Sequence, residues 1–448
     1  MRTLRYTRGK AWVVSVNMGY GHERAAYALR DLAVGDGIIT ANNYPGIPAS
    51  DRRIWDDSRR FYEGISRLKT VPVVGNFIFE FYDRFQEIRS FYPRRDLSRP
   101  NLQVRELYYV IRRQAFGRHL IEKFKQRPYP ILTSFFIPAF AAEIFGYPGE
   151  IYCVICDADI SRTWAPLDPA ASRIKFFASN GRVVERLRLY GVPEKNIFLT
   201  GFPLPKELIG GERGVEVKHD LMMRLNNLDP DGIFRSKYDR TLHQYLGRHW
   251  HSRSPRRPFT LTFSIGGAGA QADLAEEVIG SLARHVLRGA LRLNIVAGTH
   301  ADLRRRYANL ARRLKLSPAA GRNFNIVYRP SRSDYFRTFS ELLRQTDVLW
   351  TKPSELSFYT GLGLPIIMAP PVGSQEDFNA IWLRTVGGGV PQNDPRYAGE
   401  WLFDWWRSGG LAKMAWSGYI EAPTHGTYRI EGILTGRQQN LARLPLIV

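Results

Sequence analysis

At 448 residues and 51.4 kDa the chain is longer than one compact core accommodates, which predicts two domains of roughly 200 residues each. An apolar content of 44% excludes intrinsic disorder, and no run of about 18 apolar residues offers itself as a membrane-crossing helix. Lys and Arg number 64 against 42 Asp and Glu, a formal charge of +22, so the partners to consider are anionic: nucleic acid, an acidic membrane surface or phosphorylated molecules.

The first predicted element is an apolar strand at residues 11–16, followed by NMGYGHERAAYAL. Gly19 and Gly21 permit a tight turn from strand to helix, after which Ala25, Ala26, Leu29 and Leu32 recur at helical spacing. His22 therefore stands at a helix N-terminus, on the side where parallel strands open a crevice, and the helix dipole there favours a neutral imidazole. That makes His22 a candidate general base.

Residues 51–128 change character, with 18 Lys and Arg against 10 Asp and Glu and 14 aromatics among them. FIFEFYDRFQEIRSFYPRR and VRELYYVIRRQAFGRHLIEKF carry apolar residues three and four apart with Arg between, which predicts amphipathic helices inserted into the first domain. Two readings stay open. The helices pack on the sheet and expose a solvated basic face, or they lie in an anionic bilayer surface with aromatics dipped and Arg on the phosphates.

Strands resume at 129–134 and 150–156. Cys153 and Cys156 lie three apart in the second of these, on opposite faces, and are expected as buried thiols without a disulfide. That strand runs into DADISRTWAP, where Asp157 and Asp159 form an Asp-x-Asp pair, a pattern that in other settings holds a divalent cation on a diphosphate. A strand from Phe176, a helix over 181–191, a strand over 196–200 and a Gly-Phe-Pro at 201–203 close a first domain of residues 1–206. Residues 207–258 are polar and rich in His and Arg, and read as an interdomain segment, helical around 221–228 and 238–246. His243, His249 and His251 are near neighbours without accompanying Cys, and no zinc site is expected.

A second domain, 259–448, opens on FTLTFSIGGAGAQADL. Gly266, Gly267 and Gly269 clear side chains from the turn, so that backbone N–H groups through Ala270 and Gln271 can close on a diphosphate at the helix N-terminus. Strands follow at 292–297 and 325–328. The most informative stretch is DVLWTKPSELSFYTGLGLPIIMAPPVGSQEDFN, residues 347–379. It predicts a strand at 348–350, a turn of Thr351, Lys352, Pro353 and Ser354, a helix opening at Glu355 with Ser354 as N-cap, a Gly-Leu-Pro break, a strand at 366–368, and a polar loop carrying Gln375, Glu376 and Asn379. Glu355 suits either the helix dipole or the vicinal hydroxyls of a sugar. An aromatic helix with Trp401, Trp405 and Trp406 and the tail THGTYRIEGIL complete the chain.

The Thr-Lys turn, acidic helix start, Gly-Leu-Pro and Gly-x-Gln-Glu loop, in this order, resemble the donor half of the MurG and monogalactosyldiacylglycerol synthase family of GT-B glycosyltransferases. The GYGH turn, the Asp after a strand with Trp164 a few residues later, and the Gly-x-Pro at 201–203 are similar to that family's first half. The resemblance implies an α/β GT-B fold of two facing, doubly wound Rossmann-like domains with a cleft between them and the last helices crossing back to the first domain. It further implies transfer of a hexose from a nucleoside-diphosphate sugar, expected to be a UDP-sugar, to a lipid or lipid-linked acceptor, without a metal or other cofactor. The donor side would comprise Gly266, Gly267, Gly269, Ala270, Gln271, Thr351, Lys352, Ser354, Glu355, Gln375, Glu376 and Asn379. Gly19, Gly21, Asp159 and Trp164 would face the acceptor.

Asn17 occupies the place of the Asp that the family is thought to use in base catalysis. An amide cannot take a proton, so His22 is the favoured base, with Asp157 orienting the imidazole or the acceptor. The expected location is cytoplasmic or peripheral on the inner face of an anionic membrane, and no nucleic acid partner is expected, since no RNP, zinc-finger or helix-turn-helix signature accompanies the scattered bases. A sugar-nucleotide epimerase of the same fold, or a catalytically silent sugar-nucleotide-binding protein, are the alternatives.

Overall fold

The computed structural model describes residues 9–35, 37–68, 88–247, 250, 257–264, 272–371 and 373–447. The chain forms two compact units: Met1–Pro205 with Val372–Asn379 and His425–Val448, and Lys206–Pro371 with Ala380–Thr424. Each is built on one six-stranded sheet in which every pairing is parallel. Two doubly wound α/β sheets in one chain is the fold class the sequence predicts.

The first sheet contains β1 (Trp12–Ser15), β2 (Ile39–Thr40), β3 (Ile131–Thr133), β4 (Ile151–Val154), β5 (Lys175–Ala178) and β6 (Ile197–Leu199), in the order β2-β1-β3-β4-β5-β6. The chain steps outward from β1 to β2, then returns to lay β3 on β1's other side. The strand order therefore reverses between β1 and β3, where α/β sheets open a crevice at their carboxyl ends. β3 and β4 are buried at every position, as parallel strands covered on both faces must be. Cys153 and Cys156 are buried and unbridged.

Within the basic insertion, helices span Ala49–Leu68, Leu102–Arg113 and Arg118–Lys125. Asn101 caps the second by accepting the Val104 N–H at 2.9 Å, and Val104, Tyr108 and Ile111 turn inward at helical spacing. Within the predicted helical stretch 104–124 the chain turns between Arg113 and Arg118, where Gly117 takes a φ of 80° and its N–H donates to Asp51 at 3.2 Å. Residues 69–87 lie outside the described residues, and 88–95, predicted as helix, carry no helical turn. Pro93 removes a backbone donor there, and Phe91 is buried against the guanidinium groups of Arg94, Arg182 and Arg186.

The last helix, Gly426–Thr435, belongs to the first unit. Its Ile430 packs with Ala11, Val13 and Leu132, and Thr427 donates to the Leu204 carbonyl. A Cβ at Gly426 would lie 2.3 Å from the Phe202 carbonyl oxygen, so only glycine allows this approach.

The second sheet runs β12 (Gly389–Pro391), β11 (Ile366–Met368), β10 (Val348–Thr351), β7 (Thr260–Ser264), β8 (Arg292–Gly298), β9 (Phe324–Tyr328). Read along the chain this is the 3-2-1-4-5-6 order of Rossmann domains, with its reversal between β7 and β10. Residues 207–258, expected as an interdomain segment, instead supply helices of this unit's core. Val215–Leu228 and Ile233–Leu246 bury Leu221, Leu225, Leu228, Phe234, Leu242 and Leu246 against it.

The polar residues that disguised this segment are themselves buried with partners. Arg224 donates to the carbonyls of Thr346, Leu362, Gly363 and Leu343 at 2.8 to 3.2 Å. Asn227 donates to Asp347 at 2.6 Å, and Asp347 also accepts from the Thr260 N–H at 2.8 Å and Arg257 at 2.6 Å. Among the described residues no helix is long and apolar enough to cross a membrane.

Burial lowers the Arg224 guanidinium to about 10, which still leaves it charged at neutral pH, so its four carbonyl partners are held by a cation. Arg224→Met would strip those buried carbonyls of their donor. It should destabilise the second unit by about 3 kcal/mol, read as a lowered urea midpoint. The exposed Arg288→Met should stay within about 0.5 kcal/mol of the unsubstituted protein, and equal effects at the two positions would contradict the assignment.

Candidate functional site

At the reversal of the first sheet, the β1 register sets Val14 opposite Thr133, so the turn after β1 lies level with Ser134 after β3. Gly19, at φ 109°, allows the turn, and the helix Tyr20–Ala28 begins directly behind it. His22 sits in its first turn. Its Nδ1 lies 2.8 Å from the Ser134 carbonyl oxygen, and a carbonyl can only accept, so Nδ1 carries the proton and Nε2 the basic lone pair. The ring packs edge-on to Phe135 at 4.8 Å and lies 6.1 Å from Trp164. Burial lowers its pKa to about 4, the Ser134 bond offsetting only part of the desolvation. His22 is therefore neutral at pH 7, as its helix-terminal position predicts, although desolvation is the larger cause.

Asn17 is held through its main chain. Its N–H donates to Asn42 Oδ1 at 2.9 Å, and Asn42 Nδ2 donates back to the Asn17 carbonyl at 3.2 Å. Asn42 was not a sequence candidate. It follows β2, a strand of two residues, too short to leave a periodic signal.

Asp157 lies on the loop after β4, and a neighbouring amide fixes it. Asn379 Nδ2 donates to Asp157 Oδ1 at 3.2 Å while Asn379 Oδ1 accepts the Ala158 N–H at 2.7 Å. Expected on the donor side, fully buried Asn379 is placed instead as a clasp on this loop. Because the imidazole Nδ1 is taken by Ser134, Asp157 is not the group that orients His22. Ser179 and Asn180 donate to the carbonyls of Asp157 and Ala158 at 2.6 and 3.0 Å and complete the clasp.

Asp159, expected to face the acceptor, is buried between two arginines. Its oxygens take Arg186 Nε at 2.8 Å, Arg186 Nη2 at 2.7 Å and Arg182 Nε at 2.9 Å. A carboxylate so engaged is not available as a base, and the Asp-x-Asp pair does not act as one unit. Trp164 is buried edge-on to Phe136 at 5.1 Å and forms one wall of the aromatic cluster beside His22.

In the second unit, the carboxyl end of β10 presents the expected turn. Thr351 is buried, Lys352 and Ser354 are part-buried, and Glu355 is 9% exposed. The predicted α-helix is a 3-10 helix, Glu355–Leu362, and the Ser354 side chain makes no capping bond to it. This segment is pressed close to its neighbours: a Cβ at Gly388 or Gly418 would lie 2.1 or 2.0 Å from Thr360 Oγ1. Gly363 ends the helix in the left-handed region, as the Gly-Leu-Pro break requires. Among the described residues, the buried hydroxyls of Thr351 and Ser357 find no hydrogen-bond partner. Gly266, Gly267, Gly269, Ala270 and Gln271 lie outside the described residues. Gln375 and Glu376, expected on the donor side, lie in the Val372–Asn379 segment that belongs to the first unit. They occupy the first turn of the helix Ser374–Thr385, with Glu376 buried and its N–H on the Gly373 carbonyl at 2.9 Å.

No family model and no curated protein matches the chain. Among solved structures it is similar to MurG of Acinetobacter baumannii, at 13% identity and a TM-score of 0.43, over 75% of this chain and 78% of that one. It is similar to a glycosyltransferase of Rickettsia africae at 12% identity and a TM-score of 0.43, over 97% of this chain and 100% of that one. It is also similar to the UDP-GlcNAc 2-epimerase of Neisseria meningitidis at 11% identity and a TM-score of 0.42, over 92% and 98%.

The His22 assignment predicts an NMR signature. At pH 7 its Nδ1 should appear protonated and its Nε2 unprotonated, with a midpoint near 4 in place of the ordinary 6.5. Because the folded value lies below the unfolded one, the native state binds fewer protons between them. His22 should therefore cost stability progressively as pH falls through that window. A midpoint above about 6 would contradict that desolvation.

Proposed function

We propose that the chain is a glycosyltransferase that moves a hexose from a nucleoside-diphosphate sugar, a UDP-sugar by the sequence resemblance, to a hydroxyl of a lipid or lipid-linked acceptor without a metal. The observation that carries this reading is His22: a neutral imidazole at a sheet reversal, with its tautomer fixed so that Nε2 is the basic atom. In the reaction, the acceptor oxygen bonds to the anomeric carbon as the bond from that carbon to the diphosphate oxygen breaks. The leaving electron pair departs with the nucleoside diphosphate, and the acceptor's proton passes to His22 Nε2.

A base of pKa about 4 does not ionise an alcohol beforehand. Proton transfer is thus late, when bond formation has already made the hydroxyl acidic. In this reading Asp157, positioned by Asn379, orients the acceptor. In the second unit, Lys352 offers charge to the diphosphate, and the hydroxyls of Thr351 and Ser357, without a hydrogen-bond partner among the described residues, are groups that a polar ligand would satisfy.

The lipid acceptor draws on the insertion. Helix Leu102–Arg113 exposes Leu102 at 65% and Tyr109 at 58%, with exposed Arg105, Arg112 and Arg113 between and beside them. Apolar and aromatic side chains interleaved with arginine are suited to an anionic bilayer surface, each base adding about 1 kcal/mol of attraction.

Radiolabelled UDP-hexoses supplied with a lipid extract should yield an organic-extractable product, unaffected by EDTA. His22→Ala should lower turnover by roughly 100- to 10,000-fold with donor affinity nearly unchanged. Full turnover in that variant would remove His22 from the role, and nucleotide-sugar binding without transfer would overturn the activity itself. In co-sedimentation, the protein should require anionic lipid, release with added salt, and bind more weakly as Leu102→Ser with Tyr109→Ser. Equal binding to neutral vesicles would refute the surface.

A further inference from the structure

Arg182 opens the helix Gly181–Leu189, directly after β5. Its guanidinium is fixed on three sides. One face lies 4.2 Å from the centroid of Phe91, Phe378 is 5.9 Å away, and Nε donates to Asp159 at 2.9 Å. Its two terminal nitrogens make no hydrogen bond among the described residues, and the side chain keeps 24% exposure. A guanidinium ordinarily loses rotamer freedom when it binds, and here that freedom is already gone, so the outer fork is preorganised.

The charge behind it is also incomplete. Asp159 is one carboxylate facing two guanidinium groups, Arg182 and the fully buried Arg186. Arg186 Nη1 is buried and, among the described residues, has no hydrogen-bond partner. Arg94, the third guanidinium against Phe91, is paired with Glu185 at 3.2 Å. Among Asp159, Arg182 and Arg186, one carboxylate faces two guanidinium groups, and burial strengthens the field of the cation in excess.

We propose that Arg182 is an oxyanion-binding residue of the first unit, taking the phosphate group of a ligand at two oxygens through its terminal nitrogens. A planar fork held at Nε presents two parallel N–H donors, the geometry that phosphate accepts bidentately and that a lysine ammonium cannot reproduce. Solvation by water alone would account for the exposed nitrogens, but not for an arginine stacked, bonded at Nε and left with uncompensated charge behind it. Through Asp159 and Asn379 the site adjoins the loop of Asp157, so the phosphate would belong to a molecule bound on that side. The assignment does not depend on glycosyl transfer, and a negative transfer assay leaves it standing.

The test uses the full chain and inorganic phosphate as probe, at ionic strength matched with chloride. Calorimetric titration should show saturable phosphate binding, weakened about tenfold or more in both Arg182→Gln and Arg182→Lys. No saturable binding, or equal binding in Arg182→Gln, overturns the proposal. If Arg182→Gln proves unfolded, arginine 15N spectra of the unsubstituted protein decide: the Arg182 Nη signals should shift and slow their rotation on adding phosphate, and unmoved signals overturn it. Phosphatidic acid in phosphatidylcholine vesicles then assigns the source. Displacement of inorganic phosphate by these vesicles points to a lipid headgroup, and its retention points to a soluble phosphate ester.

Discussion

The buried ion pair between Asp159 and Arg186 is the constraint on which the first unit's site depends. Both partners are almost wholly removed from water, and removing either would leave an uncompensated charge, a loss of about 3 to 5 kcal/mol. The pair fastens the loop after β4 to the helix after β5, and the rest of that loop follows. Tyr190 donates to the Ile160 carbonyl at 2.7 Å, and Arg162 spends its guanidinium on the carbonyls of Ser98, Ala165 and Pro166. Asp157 is thus presented by a loop whose main chain is tied by side chains from neighbouring elements, the kind of support a positioned carboxylate needs.

One physical effect, desolvation, produces three different groups here because their partners differ. Among the described residues, the hydrogen bond of His22 goes to a backbone carbonyl, and desolvation drives the ring neutral. Arg224 has four carbonyl acceptors, and because the carboxylates of Asp220 and Asp347 offset part of the desolvation, burial lowers it only as far as about 10. Arg186 loses to burial and regains more from its two bonds to Asp159, so its pKa ends above the ordinary value. Neutral acceptor, caged cation and ion pair are therefore arranged by what each buried group can bond, at the crevice end of the first sheet and within the second unit's core.

Sequence alone determined the elements whose signal is local. The apolar runs that became β1, β3, β4 and β10 are legible because a strand buried on both faces must be apolar throughout. The GYGH turn and the Gly-Leu-Pro break are legible because glycine takes the positive φ found at Gly19 and Gly363 without steric cost, and a Cβ at Gly363 would also meet Leu221 Cδ1 at 2.4 Å. From these came two doubly wound sheets, a histidine at the first crevice and a polar turn at the second.

Tertiary structure decided what those residues do, because pairing between distant positions leaves no periodic trace. Asn379 meets Asp157 across 222 residues, and Asn42 meets Asn17 across 25. Asp159 looked like half of a carboxylate pair until Arg186, 27 residues on, occupied it. Residues 207–258 looked like a solvated connection because polar side chains ordinarily are solvated. Arg224 and Asn227 are buried only because carbonyls of Leu343, Thr346, Leu362 and Gly363 and the carboxylate of Asp347 arrive from elsewhere in the chain to receive them. Local pattern encodes which surfaces leave water. Which polar groups leave with them is settled only where the chain brings their partners together.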